Sequence, residues 1–336
     1  HALLLVGVRE AAITNLVTTI AKVAPILMFI ALVAAAFSVP TFNLDFSGLS
    51  NPGLGSVMDQ VKGTMLVTLW VFIGIEGASV VSRRASNRKD IGFSTLAGFL
   101  ICLVLYAAVS LISLGIMPQA ELAALKNPSM AGVLEKVVGP WGAVLINLAL
   151  VVSVLGAFLS WTLLAAEIPF EAAKDGSMPK FFATENAKGS PSASLWVTNL
   201  LVQAFLIVTY FANSTYMALF SIASVAIIVP YVFSAAYAFK VALNRESYTP
   251  AESTARDLLV GGVATLYGLW LVYAADVKYL FMCAALYAAG ILIFAYARQE
   301  RNEKWMTPLE AALAALLACA GIAAVYLMWT GAISPL

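Results

Sequence analysis

The sequence predicts an all-α polytopic membrane protein. Hydrophobic residues make up 62% of the 336 residues and charged residues only 11%, against about 45–50% and 25% in soluble domains. Apolar windows long enough to cross a bilayer as a helix recur along the chain. The net charge of +1 does not indicate a nucleic-acid partner.

Nine apolar windows are candidate membrane helices. We expect them at 12–37, 62–82, 92–117, 141–166, 194–212, 215–239, 257–274, 279–297 and 308–330. The longest loops contain Pro, Gly and Ser rather than a second set of core residues. The chain is therefore expected to form a single transmembrane domain over residues 1–336.

Lysine and arginine residues indicate the orientation of these helices. Fourteen lie in loops on one side and four in loops on the other, while Lys22 lies inside the first window. Cytoplasmic loops carry the excess of Lys and Arg, so the side with fourteen is expected to be cytoplasmic. We therefore predict a multi-pass protein of the inner, cytoplasmic membrane, in contact with membrane lipid.

Glu76 is an unexpected carboxylate in the apolar run 65–81, MLVTLWVFIGIEGASVV. A charge in a membrane segment is costly, and such residues usually face the protein interior and serve a function. Gly74 and Gly77 flank Glu76, and a glycine-interrupted membrane helix is typical of a transporter site. The run is predicted to break here and to expose unpaired backbone groups at Ile73 and Gly74.

Other chemistry is not indicated by the sequence. The three cysteines lie in apolar runs without metal-ligand spacing, and the single histidine is terminal. Nucleotide-binding loops and catalytic triads are not found. We expect no cofactor and no metal, and a membrane enzyme or an ATP-driven pump is disfavoured.

Two segments resemble a known family. LWVFIGIEGASVVSRRASNRKDIG at 69–92 and SWTLLAAEIPFEAAKDGSMPKFFATENAKGSPSAS at 160–194 resemble helices six to nine of the amino acid, polyamine and organocation superfamily. Within it, the chain is similar to the basic amino acid antiporters of the arginine/ornithine and arginine/agmatine type. The similarity begins near GVREAAITNLVTTIAKVAPI and continues to at least residue 298.

This resemblance implies a LeuT-like five-plus-five inverted repeat, in which two broken helices enclose the substrate. The windows would then be helices five to twelve plus one extra helix, with roughly the first four missing, and HALLLVGVREA looks like the tail of a preceding helix. The implied activity is exchange of arginine or lysine for ornithine or a related amine. An amino acid/proton symporter, a polyamine transporter, a channel or an inactive fragment are alternatives.

The resemblance also implies roles for individual residues. The substrate-binding candidates are Trp70, Ile73, Gly74, Trp161 and Ser224, and the gating or coupling candidates are Glu76, Tyr231 and Lys22. The carboxylate matches that of a cytoplasmic-side gate and the tyrosine matches its partner. The lysine takes the place of an ion bound in sodium-coupled relatives. A homodimer is a further expectation.

Simpler interpretations of these residues remain open from the sequence. Tryptophans are common at membrane interfaces, Lys22 can snorkel towards an interface, and a serine in a membrane helix often bonds to its own backbone. Glu167 and Glu171 lie near the expected end of a helix, where solvated charge is the expectation.

Overall fold

The structure, a computed structural model, describes residues 1–44, 48, 52–211, 216–246, 248–249 and 252–333. The described part of the chain is 80% helical and contains no β-strand. The predicted all-α class is confirmed.

Fourteen helices are found within these described ranges. They are α1 Ala2–Val6, α2 Val8–Ala35, α3 Val39–Phe42, α4 Val57–Phe72, α5 Gly77–Val80, α6 Arg88–Leu114, α7 Gln119–Ala123, α8 Ser129–Val138, α9 Pro140–Asp175, α10 Ser192–Phe211, α11 Tyr216–Leu243, α12 Ala255–Ala274, α13 Val277–Gln299 and α14 Pro308–Trp329. Short 3₁₀ turns form at Pro52–Leu54, Ser82–Arg84 and Lys180–Ala183.

Seven segments of the described helices are long and apolar enough to cross a membrane. They are Ile13–Ala35, Asp90–Leu114, Pro140–Asp175, Leu219–Leu243, Ala255–Ala274, Val277–Gln299 and Pro308–Trp329, and Ser192–Ile207 is a shorter apolar helix. The expected polytopic membrane fold is confirmed. The window 62–82 is divided between α4 and α5, and the boundaries expected at 212 and 215 lie outside the described residues.

Local sequence explains where the longest helices begin and end. Helix α14 starts with a capping box, in which the Thr307 hydroxyl accepts from the Glu310 N–H and the Glu310 carboxylate accepts from the Thr307 N–H. Helix α9 ends at Asp175, where Gly176 adopts the left-handed conformation and terminates the helix. Its 36 residues make a rod of about 54 Å, longer than the roughly 30 Å hydrocarbon core.

The chain divides into two compact units. Unit 1 comprises His1–Val57 and Gly74–Gln203. In unit 1, α2 packs against α6, α8 and α9, and α5 packs against α6 and α9. Phe29, Val33 and Leu134 form the centre of its main apolar cluster. Unit 1 thus positions the C-terminal side of the break.

Unit 2 comprises Met58–Ile73 and Ala204–Leu336. Its helix α11 packs against α12 and α13, and α13 packs against α14. Leu69 of α4 lies in an apolar cluster with Val225 and Ile228 of α11. This packing holds the N-terminal side of the break. The inverted repeat and the single domain stay predictions.

Candidate functional site

The predicted interruption of the membrane helix lies between α4 and α5. The first helix ends at Phe72 and the second begins at Gly77. Between them, the Ile73 N–H donates to the Trp70 carbonyl at 3.1 Å, and the Gly77 N–H donates to the Gly74 carbonyl at 3.0 Å. Gly74 has a φ of +108°, so this position favours glycine strongly.

The Glu76 side chain closes the break within the same turn. The Gly74 N–H donates to Oε2 of Glu76 at 2.8 Å. A carboxylate is a strong acceptor for a backbone N–H, and an unpaired backbone group is costly inside a membrane. The half-buried Glu76 therefore stabilises the interrupted backbone locally.

The backbone groups at the break are less available than the sequence predicts. Both N–H groups of Ile73 and Gly74 are hydrogen-bonded, and so is the Gly74 carbonyl. Ile73 and Gly74 together carry two N–H groups and two carbonyls. Of these four groups, only the Ile73 carbonyl has no partner among the described residues. The expectation of several unpaired groups is wrong because Glu76 and Gly77 satisfy the turn internally.

Trp161 of α9 lies directly against the break. A Cβ placed on Gly74 would lie 3.3 Å from Cζ2 of Trp161, and one on Gly77 would lie 3.3 Å from Leu164. Glycine at these positions therefore allows α9 to approach the backbone of the break closely. The structure brings Trp161, Gly74 and Glu76 together in unit 1.

A cavity of about 360 Å³ adjoins the same backbone. Gly74 and Gly77 form part of its wall, and Asn15 of α2 and Ser160 of α9 add polar groups. The Ser160 hydroxyl donates to Oδ1 of Asn15 at 2.6 Å. The sequence analysis did not single out this pair, although an amide inside the apolar window 12–37 was a usable signal.

Lys22 lies on α2 and lines a different, smaller cavity of about 120 Å³. Pro25 and Ser153 lie on the same wall. The side chain is half-buried, and it forms no ion pair within the described parts of the chain. The structure places Lys22 inside a membrane span, as expected, but not on the wall of the cavity at the break.

In unit 2, the predicted substrate-binding residues lie on α4 and α11. The Trp70 ring packs edge-on against Phe220, with 5.1 Å between the ring centroids. One turn further along α11, Ser224 is fully buried, and its hydroxyl has no hydrogen-bond partner among the described residues. Ser224 therefore does not make the usual bond back to its own helix.

Tyr231 also lies on α11 and packs against the apolar cluster that contains Leu69, Val225 and Ile228. Tyr231 belongs to unit 2 and Glu76 to unit 1. The pairing of these two side chains stays a prediction.

An ion-pair fork joins the turn after α5 to the C-terminal end of α9. Arg83 Nε lies 2.5 Å from the carboxylate of Glu171, and the guanidinium also contacts the carboxylate of Asp175. The two carboxylates are four residues apart, on one face of the helix. Besides Leu164, which lies close to Gly77, this fork is a second point at which α9 holds the segment after the break.

The expectation for Glu167 is wrong, because this carboxylate is 1% exposed rather than solvated. Helix α9 does not end near residue 166, so Glu167 lies on the same buried face as Phe170 and Ala173. Glu167 also makes an interaction with other groups of the protein. A buried carboxylate in a membrane protein is expensive unless it is satisfied in this way.

The membrane-spanning helices and the glycine break define a polytopic membrane transport protein. The model of the amino acid permease family matches residues 1–307. The chain therefore belongs to the amino acid permease family. It is a transporter rather than an enzyme, and a multi-pass protein of the inner membrane.

Named relatives cover nearly all of the chain. An arginine/ornithine antiporter of Pseudomonas aeruginosa is 47% identical over 338 residues, which cover 98% of this chain and 70% of the relative. An arginine/agmatine antiporter of Chlamydia pneumoniae is 41% identical, again over 98% and 70% of the two chains. An arginine/agmatine antiporter of Chlamydia felis is 39% identical over 98% and 69%.

Proposed function

We propose that this protein exchanges cationic amino acids across the inner membrane, taking arginine or lysine in one direction and ornithine or a related amine in the other. The observation that carries the proposal is the break between α4 and α5, where Glu76 binds the Gly74 N–H and Trp161 packs on the same backbone. The names of the relatives support the choice of substrate.

The chemistry of these groups suits an organic cation. An indole face attracts an ammonium or guanidinium group, and a carboxylate in a membrane offsets the charge of a cation that enters. Trp70, Ile73, Gly74, Trp161 and Ser224 are therefore proposed to bind the substrate. Glu76, Tyr231 and Lys22 are proposed to gate the site or to couple the exchange.

Counterflow in proteoliposomes tests the exchange. Purified protein is reconstituted with unlabelled ornithine inside, and labelled arginine is added outside. We expect uptake that depends on internal ornithine, because an antiporter returns to its starting state only with a counter-substrate bound. Liposomes loaded with alanine and liposomes without protein are the controls.

The same experiment separates the proposal from its alternatives. Arginine uptake that needs no internal amine and follows an imposed proton gradient would contradict exchange and identify a symporter. Faster uptake of a labelled polyamine than of any amino acid would contradict the choice of substrate. A panel of arginine, lysine, ornithine and agmatine as internal substrates ranks the physiological pair.

We also propose a homodimer in the membrane, as the family resemblance suggests. Single-molecule photobleaching of the labelled protein in dilute liposomes tests this state. We expect mainly two bleaching steps, and a population dominated by one step at every density would contradict the dimer.

A further inference from the structure

Pro230 interrupts the hydrogen bonding of α11 immediately before Tyr231. In an α-helix, the N–H of residue 230 would donate to the carbonyl of Ala226. Proline has no N–H, so this carbonyl loses its helical donor. Inside a membrane, water is not present to replace the lost bond. The Ala226 carbonyl therefore needs a donor from another part of the protein.

Tyr287 of α13 supplies that donor, because its hydroxyl donates a hydrogen bond to the Ala226 carbonyl. Two other membrane helices contain an interior proline, Pro25 in α2 and Pro169 in α9. The carbonyls that these two prolines release accept no side-chain bond among the described residues. Within the described chain, the tyrosine contact is thus specific to the proline of α11.

A second contact holds the preceding turn of α11 to the same helix. The Cys283 thiol, one turn before Tyr287 on α13, lies 3.6 Å from the Ile222 carbonyl and donates to it. Cys283 is buried in the apolar cluster that also contains Val225. Helix α13 therefore fixes two consecutive turns of α11, and the second is the turn that Pro230 weakens.

We propose that Tyr287 is a positioning residue for the gate: its hydroxyl holds the proline-containing turn of α11 in one geometry and thereby sets the position of Tyr231. The inference rests on the proposed function in one respect, which is the role of Tyr231 as a gate. The coupling between the Tyr287 hydroxyl and Pro230, on which the inference is based, does not depend on which substrate is transported.

The Tyr287→Phe variant removes one hydroxyl and keeps the ring that packs in the cluster. We expect hydrogen–deuterium exchange of the peptide covering residues 222–231 to rise about fivefold to tenfold, the order expected for one lost hydrogen bond. Arginine exchange is expected to slow by a similar factor. Tyr296→Phe, on an exposed face of the same helix, is the matched control and should change neither quantity.

The Pro230→Ala background separates a hydrogen-bond role from a packing role. Alanine restores the N–H of residue 230, so the Ala226 carbonyl regains its helical donor. In this background, we expect Tyr287→Phe to have no further effect on amide exchange. An equal effect with and without the proline would overturn the inference, as would a Tyr287→Phe protein that behaves like the wild type in both measurements.

The two readouts keep this inference distinct from the proposed function. If the wild-type protein does not exchange cationic amino acids, the proposed function fails, while amide exchange still measures the coupling between Tyr287 and Pro230. If the wild type exchanges arginine normally and the coupling is absent, the proposed function stands and the positioning role fails.

Discussion

The break at Gly74 and the proline at position 230 interrupt the hydrogen bonding of two membrane helices by different chemistry. At the break, a glycine with positive φ turns the chain, and the freed N–H is bound by Glu76 two residues away. In α11, Pro230 removes an N–H, and the freed carbonyl of Ala226 is bound by Tyr287 of another helix. The first interruption is stabilised within its own turn and the second by helix packing.

This difference determines what each interruption responds to. A turn closed by a carboxylate is sensitive to the charge of that carboxylate. A carbonyl bound by a neighbouring helix is sensitive to movement of that helix. Variants that remove one component at a time test whether the two sites differ in this way.

Gly74→Ala is expected to have the largest effect on the backbone geometry of the break. The backbone at φ +108° is unfavourable for alanine, with a cost of about 1–3 kcal/mol for such regions. The added Cβ would also lie 3.3 Å from Trp161. We expect arginine exchange to fall by a factor of about 5 to 150, since 1.4 kcal/mol is about a factor of ten.

Gly63→Ala is the matched control for Gly74→Ala. Gly63 lies within α4 and has nothing within 4 Å of an added Cβ. Alanine also favours the helix, so normal exchange is expected. An equal loss of arginine exchange in both variants would show that exchange does not depend specifically on the backbone conformation at Gly74.

Glu76→Gln tests the charge of the carboxylate at the break. The amide oxygen still accepts the Gly74 N–H, so the turn is expected to form, but the negative charge is lost. We expect exchange to be abolished or uncoupled, measured as labelled arginine uptake against release of labelled ornithine. Glu135→Gln, at an exposed position of α8, is the control. A wild-type rate with unchanged stoichiometry would remove Glu76 from the gate.

Trp161→Leu tests the side chain that packs on the break. A cation–π contact contributes about 0.5–2 kcal/mol, so we expect the KM for arginine to rise roughly twofold to thirtyfold, with a smaller change in the maximal rate. Trp141→Leu, near the other end of α9 and also exposed, should leave the KM unchanged. A KM that rises equally in both variants would indicate a general effect on the helix.

The smallest expected effect is at Glu252. Like Glu76, this glutamate accepts a hydrogen bond from a nearby backbone N–H, but its side chain is exposed. Its carboxylate accepts from the Thr249 N–H at 2.7 Å and from the Thr249 hydroxyl at 2.9 Å. The backbone bond, followed by the hydroxyl bond, lowers the pKa of Glu252 from its ordinary 4.5. The stabilisation is therefore fully present above about pH 4.5 and is lost as the pH falls through the lowered pKa.

An NMR titration of the protein in nanodiscs measures this effect. We expect the Thr249 amide to shift and to exchange faster only below the ordinary pKa of a glutamate. The step should disappear in Glu252→Gln. A step at or above pH 4.5 would contradict the lowered pKa.

The sequence predicted the structural features that are determined by residues close together along the chain. The apolar windows located the membrane helices, and glycines on both sides of Glu76 located the break. Both signals are local, since a helix needs its own run of apolar residues and a turn needs its own glycine. Trp161 was found through the family motif that contains it, and the structure places it on the break.

The sequence could not predict contacts between distant segments. Tyr287 and Ala226 are 61 residues apart, and Ser160 and Asn15 are 145 apart. Their partners follow only from the packing of whole helices. Glu167 was misjudged for the same reason, because its burial depends on how far α9 continues. Pro230 inside an apolar helix indicates that the Ala226 carbonyl lacks its helical N–H donor. The group that replaces this donor, Tyr287, could not be identified from the sequence.

The fork of Arg83 with Glu171 and Asp175 has a consequence for the two faces of the membrane. All three charges lie on the side predicted to be cytoplasmic, and the arginine and Asp175 side chains are largely exposed, at 52% and 65%. Salt weakens exposed ion pairs, although the 2.5 Å between Arg83 and Glu171 is well inside the Debye length of about 8 Å at physiological ionic strength. Salt on the side predicted to be cytoplasmic is therefore expected to weaken, without removing, the contribution of this fork to holding the segment after the break against α9.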